Sequence, residues 1–259
     1  MLDEKLQSYF DLSGKRALVT GAGRGIGQAM AEAVAAAGAE VLIHYHQSRE
    51  AAEKVVEGIV GSGGSATAIQ ADLTDVDAAK GLLDAAGQRW GGLDILINNA
   101  GDLVQRCPIA DMADDVMDQI IRVNIYSALY VTRAAIPLLR RGRHPAVVNI
   151  GSIAGHNGGG GGSVLYASAK GAIHTFTRGI AKELAPEIRV NAIAPGVIMT
   201  DFHRRHTPEP TLAGLVENTP LKRLGEAEDH AAACLFLCGV GSSFITGETI
   251  EVNGGLWVR

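Results

Sequence analysis

Short runs of β-branched and aliphatic residues alternate along the chain with longer Ala-rich stretches whose apolar positions recur at helical spacing. The short runs predict strands at 16–20, 40–45, 66–70, 94–97, 146–150, 189–193 and 249–252. The longer stretches predict helices at 25–37, 50–61, 76–89, 113–140, 164–184 and 227–237. Such alternation is the mark of stacked βαβ units, in which helices cover both faces of a parallel sheet. The expected fold is therefore α/β, a Rossmann-type doubly wound parallel sheet of about seven strands flanked by helices. The glycines at 158–162 are too few to form an interdomain linker, and the strand pattern continues on both sides of them. One domain is expected over 1–259.

Composition then removes several functions. Lys and Arg number 23 against 28 Asp and Glu, and a net charge of −5 argues against a nucleic-acid binder, which needs a basic face. No stretch offers ~20 uninterrupted apolar residues, so a membrane span is not expected. Asp3, Glu4 and Lys5 stand where a signal peptide would begin its apolar run. Cys107, Cys234 and Cys238 form neither a CxxC pair nor a disulfide framework. Cys234 and Cys238, in an apolar helical stretch, are expected to pack as small hydrophobes. A reduced, cytoplasmic protein is the expectation.

The first strand runs into Thr20-Gly21-Ala22-Gly23-Arg24-Gly25-Ile26-Gly27, and a helix follows at once. Glycines there permit a tight turn and close backbone approach to a phosphate. The free N–H groups and dipole of the next helix favour the anion, so this turn is read as a dinucleotide site. The second strand ends in Tyr45, with no acid to bond an unphosphorylated ribose. That absence favours a 2′-phosphate, with Arg24 and less directly Arg49 as its partners; solvated surface charge is the plainer reading of both arginines. NADP(H) is therefore the favoured cofactor, with NAD(H) use left open. No metal is expected, because His44 and His46 share one strand face without a third ligand.

Tyr166 and Lys170 are four apart on a predicted helix, which sets them on one face at ~5–6 Å between Cβ atoms. A phenol near its reference pKa of ~10 is a poor proton shuttle. A neighbouring ammonium and an oxidised nicotinamide both favour the phenolate, so the Tyr166 pKa is expected to fall. Tyr166 then serves as general acid and base, and Ser152 as a hydrogen-bond donor to the same substrate oxygen.

The ordered set of motifs resembles the short-chain dehydrogenase/reductase family, over 14–255. Asp72-Leu73 resembles the family's adenine-contacting pair, and Asn98-Asn99-Ala100-Gly101 its fourth-strand motif. Asn124 fits its helix asparagine, Ser152 its serine, and Tyr166 to Lys170 its YxxxK. Pro195-Gly196, followed by Val197, Ile198 and Thr200, resembles the nicotinamide-side loop. The resemblance implies that Lys170 also holds the nicotinamide ribose and that Asn124 holds a proton-relaying water. It also implies a homodimer or homotetramer acting on a small carbonyl or alcohol.

The family's specificity loop falls at 197–223, where Pro208, Pro210 and Pro220 are expected to stiffen a lid. Its His203-Arg204-Arg205-His206 run is either a contact for an anionic substrate or a solvated helix face; a metal at His203 and His206 is disfavoured. The interval from Ser152 to Tyr166 is one residue longer than the family's commonest, which bears on the pocket wall rather than on the catalytic atoms. The residues from Ile245 to Gly255 are similar to bacterial 3-oxoacyl-(acyl-carrier-protein) reductases, for which Arg140, Arg141, Arg143 and Lys182 would receive the acidic carrier. A sugar, polyol or sugar-acid dehydrogenase is the alternative within the family. A noncatalytic NADP-sensing protein is the alternative outside it.

Overall fold

Alternation along each strand decides which helical layer it feeds. On β1 (Arg16–Val19), Ala17 and Val19 face one way and Leu18 the other; on β4 (Ile95–Asn98), Ile95 and Ile97 oppose Leu96. These strands are buried on both faces, as a parallel sheet between two helical layers requires. The computed structural model describes residues 4–207 and 209–258. Its sheet adds β2 (Glu40–Tyr45), β3 (Ser65–Gln70), β5 (Ala146–Ile150), β6 (Arg189–Pro195) and β7 (Thr249–Val252). All pairings are parallel, in the order β3-β2-β1-β4-β5-β6-β7.

A short α1 (Glu4–Ser8) precedes the sheet. One face is covered by α2 (Gly25–Ala36) and α3 (Arg49–Gly61), through Met30, Val34 and Val55, and by Leu237, Cys234 and Cys238 near the chain end. The two cysteines are buried with Sγ atoms 4.0 Å apart, in the packing role expected of them. The other face is covered by α4 (Val76–Trp90), whose Asp75 side chain accepts from Ala78 N at 2.8 Å and so caps the first turn. Beside it the expected single helix over 113–140 is in fact three pieces. These are α5 (Asp114–Ile121), a π-helical turn (Arg122–Tyr126), and α6 (Ser127–Leu139). The cause is local: Asn124 donates its amide to both Ile120 O and Asp102 O, which holds the turn open by one residue.

The short α7 (Ala154–Asn157) has no visible period in the sequence, while α8 (Val164–Leu184) matches its predicted bounds. The lid differs more. It holds two helices, α9 (Asp201–His206) and α10 (Glu209–Asn218), in place of the expected proline-stiffened loop. Pro210 sits in the first turn of α10, where its missing N–H costs nothing; Pro208 lies outside the described residues. The last helix, α11 (Glu228–Cys238), carries the two cysteines and leads to β7. No helix among the described residues is long and apolar enough to cross a membrane.

Candidate active site

The strand order reverses between β1 and β4, and a cavity of about 770 Å³ opens at the C-terminal ends of the strands there. Such a switch point is where an open α/β sheet leaves a crevice. Gly21 turns left-handed at φ 62°, and Asn99 Nδ2 donates to the carbonyls of Thr20 and Gly21 across the crevice. At Gly27 a Cβ would stand 2.4 Å from that same Asn99 nitrogen, so the close approach requires glycine. Arg24 occupies the N-cap of α2 without capping it, and the helix has no acid in its first turn. Its first N–H groups are thus open towards the cavity and suit a diphosphate.

Most of the expected binding residues meet in this cavity. Gly21, Arg24, Gly25, Ile26 and Gly27 line one end. Gly101, residues 195–198 and Thr200 line the middle. Others stand elsewhere. Tyr45 shares the face of Val41 and Ile43 and is buried among them, so its side chain does not line the cavity. Asn98 points into the core, donating to Thr132 Oγ1 and Asn149 Oδ1, and it is Asn99 that reaches the turn. Leu73 is buried in the core opposite Tyr45, and Ala100 packs partly buried beside it. Asp72 stays half-exposed and braces its own turn through Thr74. Arg49 is engaged by Glu53 at 2.7 Å, while Arg24 stands 3.9 Å from Asp201 of the lid.

His44, which the sequence places only on a strand face, is buried beneath the turn. Its Nδ1 accepts from Gly21 N at 3.1 Å and its Nε2 donates to Ala71 O at 3.0 Å. Burial pulls its pKa down to about 4, so the ring is neutral.

At the other end Ser152, Tyr166 and Lys170 line the cavity. The Ser152 hydroxyl accepts from Ala154 N at 3.1 Å, and its hydrogen-bonding influence on the Tyr166 phenol favours the phenolate. The Lys170 ammonium donates to Ile150 O at 2.8 Å and lies 5.7 Å from the Tyr166 ring centroid. The neighbouring ammonium by itself does not bring the tyrosine pKa down. Burial pushes it up to about 12, with Ser152 opposing, and burial also brings Lys170 down to about 8. The desolvation of the phenolate outweighs a lysine whose charge is spent on a carbonyl. Asn124 is buried behind them, and its Oδ1 has no partner among the described residues. A Cβ on Gly101 would lie 2.7 Å from that oxygen and 3.2 Å from Lys170 Nζ, so the two groups face one small space.

The lid's basic run does not meet the cavity as free charge. Arg205 and His206 both bond Asp102, at 3.4 and 3.2 Å, and Arg204 pairs with Asp201 at 3.0 Å. His203 lines the cavity, bonds Thr207 Oγ1 and is held neutral by burial, its pKa brought down to about 4. Arg106, which carries no motif, also lines the cavity and has no carboxylate partner among the described residues. It donates to His206 O, Gly160 O and Gly161 O, all neutral carbonyls. The same bonds tie down the glycine run that lengthens the Ser152–Tyr166 interval.

Arg140, Arg141, Arg143 and Lys182 do not serve this mouth. They end α6 and α8 or precede β5, at the opposite edge of the sheet; Arg140 pairs with Glu187, and Arg143 N bonds Asp94 Oδ1 before β4. A carrier protein docked on them would face away from the cavity.

A family profile described as enoyl-(acyl carrier protein) reductase matches residues 21–257. The 3-oxoacyl-[acyl-carrier-protein] reductase FabG of Escherichia coli is 35% identical over 249 residues, covering 96% of this chain and 99% of that one. Among solved structures, a gluconate 5-dehydrogenase from Burkholderia cenocepacia in complex with NADP and tartrate superposes with a TM-score of 0.90. It shares 30% identity, covering 97% of this chain and 98% of that one. RhlG of Pseudomonas aeruginosa, in an NADP active-site complex, has a TM-score of 0.89 at 34% identity and covers 96% and 98%.

Proposed function

The chain belongs to the short-chain dehydrogenase/reductase family, and on that premise we propose that it is an NADP(H)-dependent oxidoreductase interconverting a ketone and a secondary alcohol. The observation that carries this reading is the junction of Ser152, Tyr166 and Lys170 at the floor of a cavity whose far end is an uncapped helix and a glycine turn. Gly21, Gly25, Gly27 and the start of α2 would hold a nicotinamide cofactor there, which would supply hydride to the carbonyl carbon or take it from the carbinol carbon. In the reductive direction Tyr166 Oη gives its proton to the carbonyl oxygen, and Ser152 donates a hydrogen bond that fixes that oxygen. Lys170 and Asn124 Oδ1, which has no partner among the described residues, flank a space suited to a water that returns the proton to Tyr166. NADP(H) is favoured because Arg24 stands at the turn and β2 ends without an acid; relatives solved with NADP support the choice.

The substrate reading turns on Arg106. Its charge has no carboxylate partner among the described residues, which favours a substrate carrying a carboxylate, as in a sugar acid. The second reading, a 3-oxoacyl thioester, draws on the apolar wall of Leu103, Ile153, Phe202, Leu215 and Leu256. The test is carbonyl-dependent NADPH oxidation on paired substrates, an oxo acid and its neutral ester, alongside a 3-oxoacyl thioester. Turnover of none, with cofactor bound, would favour a sensor and overturn the enzyme reading. Preference for the oxo acid that vanishes in Arg106→Gln supports the acidic substrate.

A further inference from the structure

The imidazole of His44 joins the glycine turn, which lines one end of the cavity, to the loop that follows β3. On one side Nδ1 accepts the N–H of Gly21, the first glycine of the turn; on the other Nε2–H donates to the carbonyl of Ala71, the residue before Asp72. The backbone carbonyl of His44 adds a third tie, accepting from Ala22 N at 3.0 Å. The ring is 2% exposed, so it touches no ligand itself. We propose that His44 is a positioning residue for the cofactor: its ring fixes the glycine turn against the loop after β3, and so sets the shape of the diphosphate cradle. The inference rests on the nucleotide-site reading above.

The bonding pattern allows only one tautomer. Gly21 N–H is a donor, so Nδ1 must carry a lone pair, and Ala71 O is an acceptor, so Nε2 must carry the proton. A protonated ring would set Nδ1–H against the Gly21 N–H. The charged groups near the ring are His46, which disfavours its protonation, and Asp72, which favours it; burial outweighs both. The left-handed Gly21 has a single side-chain partner for its N–H, and without it that donor is left unpaired beneath the phosphate site.

The test compares His44→Leu with His44→Asn, whose Oδ1 falls near the place of Nδ1 and keeps an acceptor for Gly21. Affinity is read by calorimetry with NADP⁺ and with adenosine 2′,5′-bisphosphate, which carries no nicotinamide. The leucine variant is expected to weaken both ligands tenfold or more, with kcat at saturating cofactor within twofold. The asparagine variant is expected to recover to within threefold of the parent. Hydrogen exchange at the Gly21 amide should quicken in the leucine variant and not in the asparagine one. Equal affinity in leucine variant and parent, or asparagine no better than leucine, overturns the proposal. If the leucine variant does not fold, ¹⁵N spectra of the parent ring decide: protonated Nε2 and bare Nδ1 support it, and the opposite tautomer overturns it. A parent that binds neither ligand refutes the nucleotide-site reading itself.

Discussion

The ring of Phe202, on lid helix α9, lies 5.7 Å from the ring of Tyr166 and is tilted 41° to it. The segment after β6 therefore touches Tyr166, the proposed proton donor, and not only the space above it. Burial is the largest cause of the raised Tyr166 pKa. Phe202→Ala admits water to the phenol, so the basic limb of the kcat/KM profile should move to lower pH, and substrate KM should rise. A profile that stays in place would mean that the desolvation comes from the floor of the cavity.

Tyr166→Phe keeps the ring and removes the proton. Turnover is expected to fall by at least ~10², the scale of general acid–base catalysis, with cofactor affinity retained. Lys170→Met should lower both turnover and cofactor affinity. Stopped-flow rates and cofactor titration measure the two effects separately.

Cofactor preference should depend on Arg24, whose guanidinium is half-exposed and only loosely engaged by Asp201. A charge-assisted contact to a 2′-phosphate is worth roughly 1.5–3 kcal/mol, or about ten- to a hundredfold, and Arg24→Ala should lose that much NADPH preference. Tyr45→Asp, the obvious route to an NADH enzyme from the sequence, should instead unfold the protein at lower temperature. It places a carboxylate among Val41, Ile43 and Val55. Calorimetric melting and kcat/KM with both cofactors distinguish the outcomes.

Acid should destabilise the fold through two histidines. His44 and His203 are held neutral, with pKa values near 4 against an ordinary 6.5. Between those values the unfolded chain binds more protons, so unfolding free energy falls as pH drops through 6.5 towards 4 and is level above that window. Each ring contributes a slope of up to about 1.4 kcal/mol per pH unit. Urea melts from pH 7 to 4.5 should show the loss, and His203→Phe should flatten it.

None of the described residues of α10 is buried, so few buried apolar contacts restrain the segment beyond α9. Limited trypsin treatment of the free protein should cut first near Arg204 and Arg205 or within the lid that follows, and cofactor plus substrate should slow the cut. First cleavage in α3 or α4 would contradict this.

The sequence was most informative where local pattern and burial agree. Strands such as Ala146–Ile150 and Thr249–Val252 match their predicted bounds because apolar residues and flanking turns mark both ends. The Ser152, Tyr166 and Lys170 positions were legible from spacing, since residues four apart on a helix share a face whatever packs around them. The electrostatics of Tyr166 were not, because its burial depends on distant residues such as Phe202. Parity explains other misses. Tyr45 lies on the Val41 and Ile43 side of β2, which alternation alone could have shown, and His44 on the opposite side. In β4, Asn98 continues the strand into the core, and the next residue turns out to the glycine turn. Arg106 and Asp102 left no local signal, since their roles come from contacts with a lid about a hundred residues away.

The π-helical turn at Arg122–Tyr126 carries a consequence for how this helix can change over generations. It holds one residue more than an α-helical turn would, which offsets the faces of α5 and α6 from one another. Deleting a residue there would rotate α5 by about 100° relative to α6 and carry Asn124 Oδ1 away from the space beside Lys170. Substitutions in this stretch other than at Asn124 can be absorbed singly, whereas a change of length would need the whole of α5 to find a new packing partner at once. Descendants of this chain should therefore vary here in residue identity but keep the count of residues between Asp114 and Leu139.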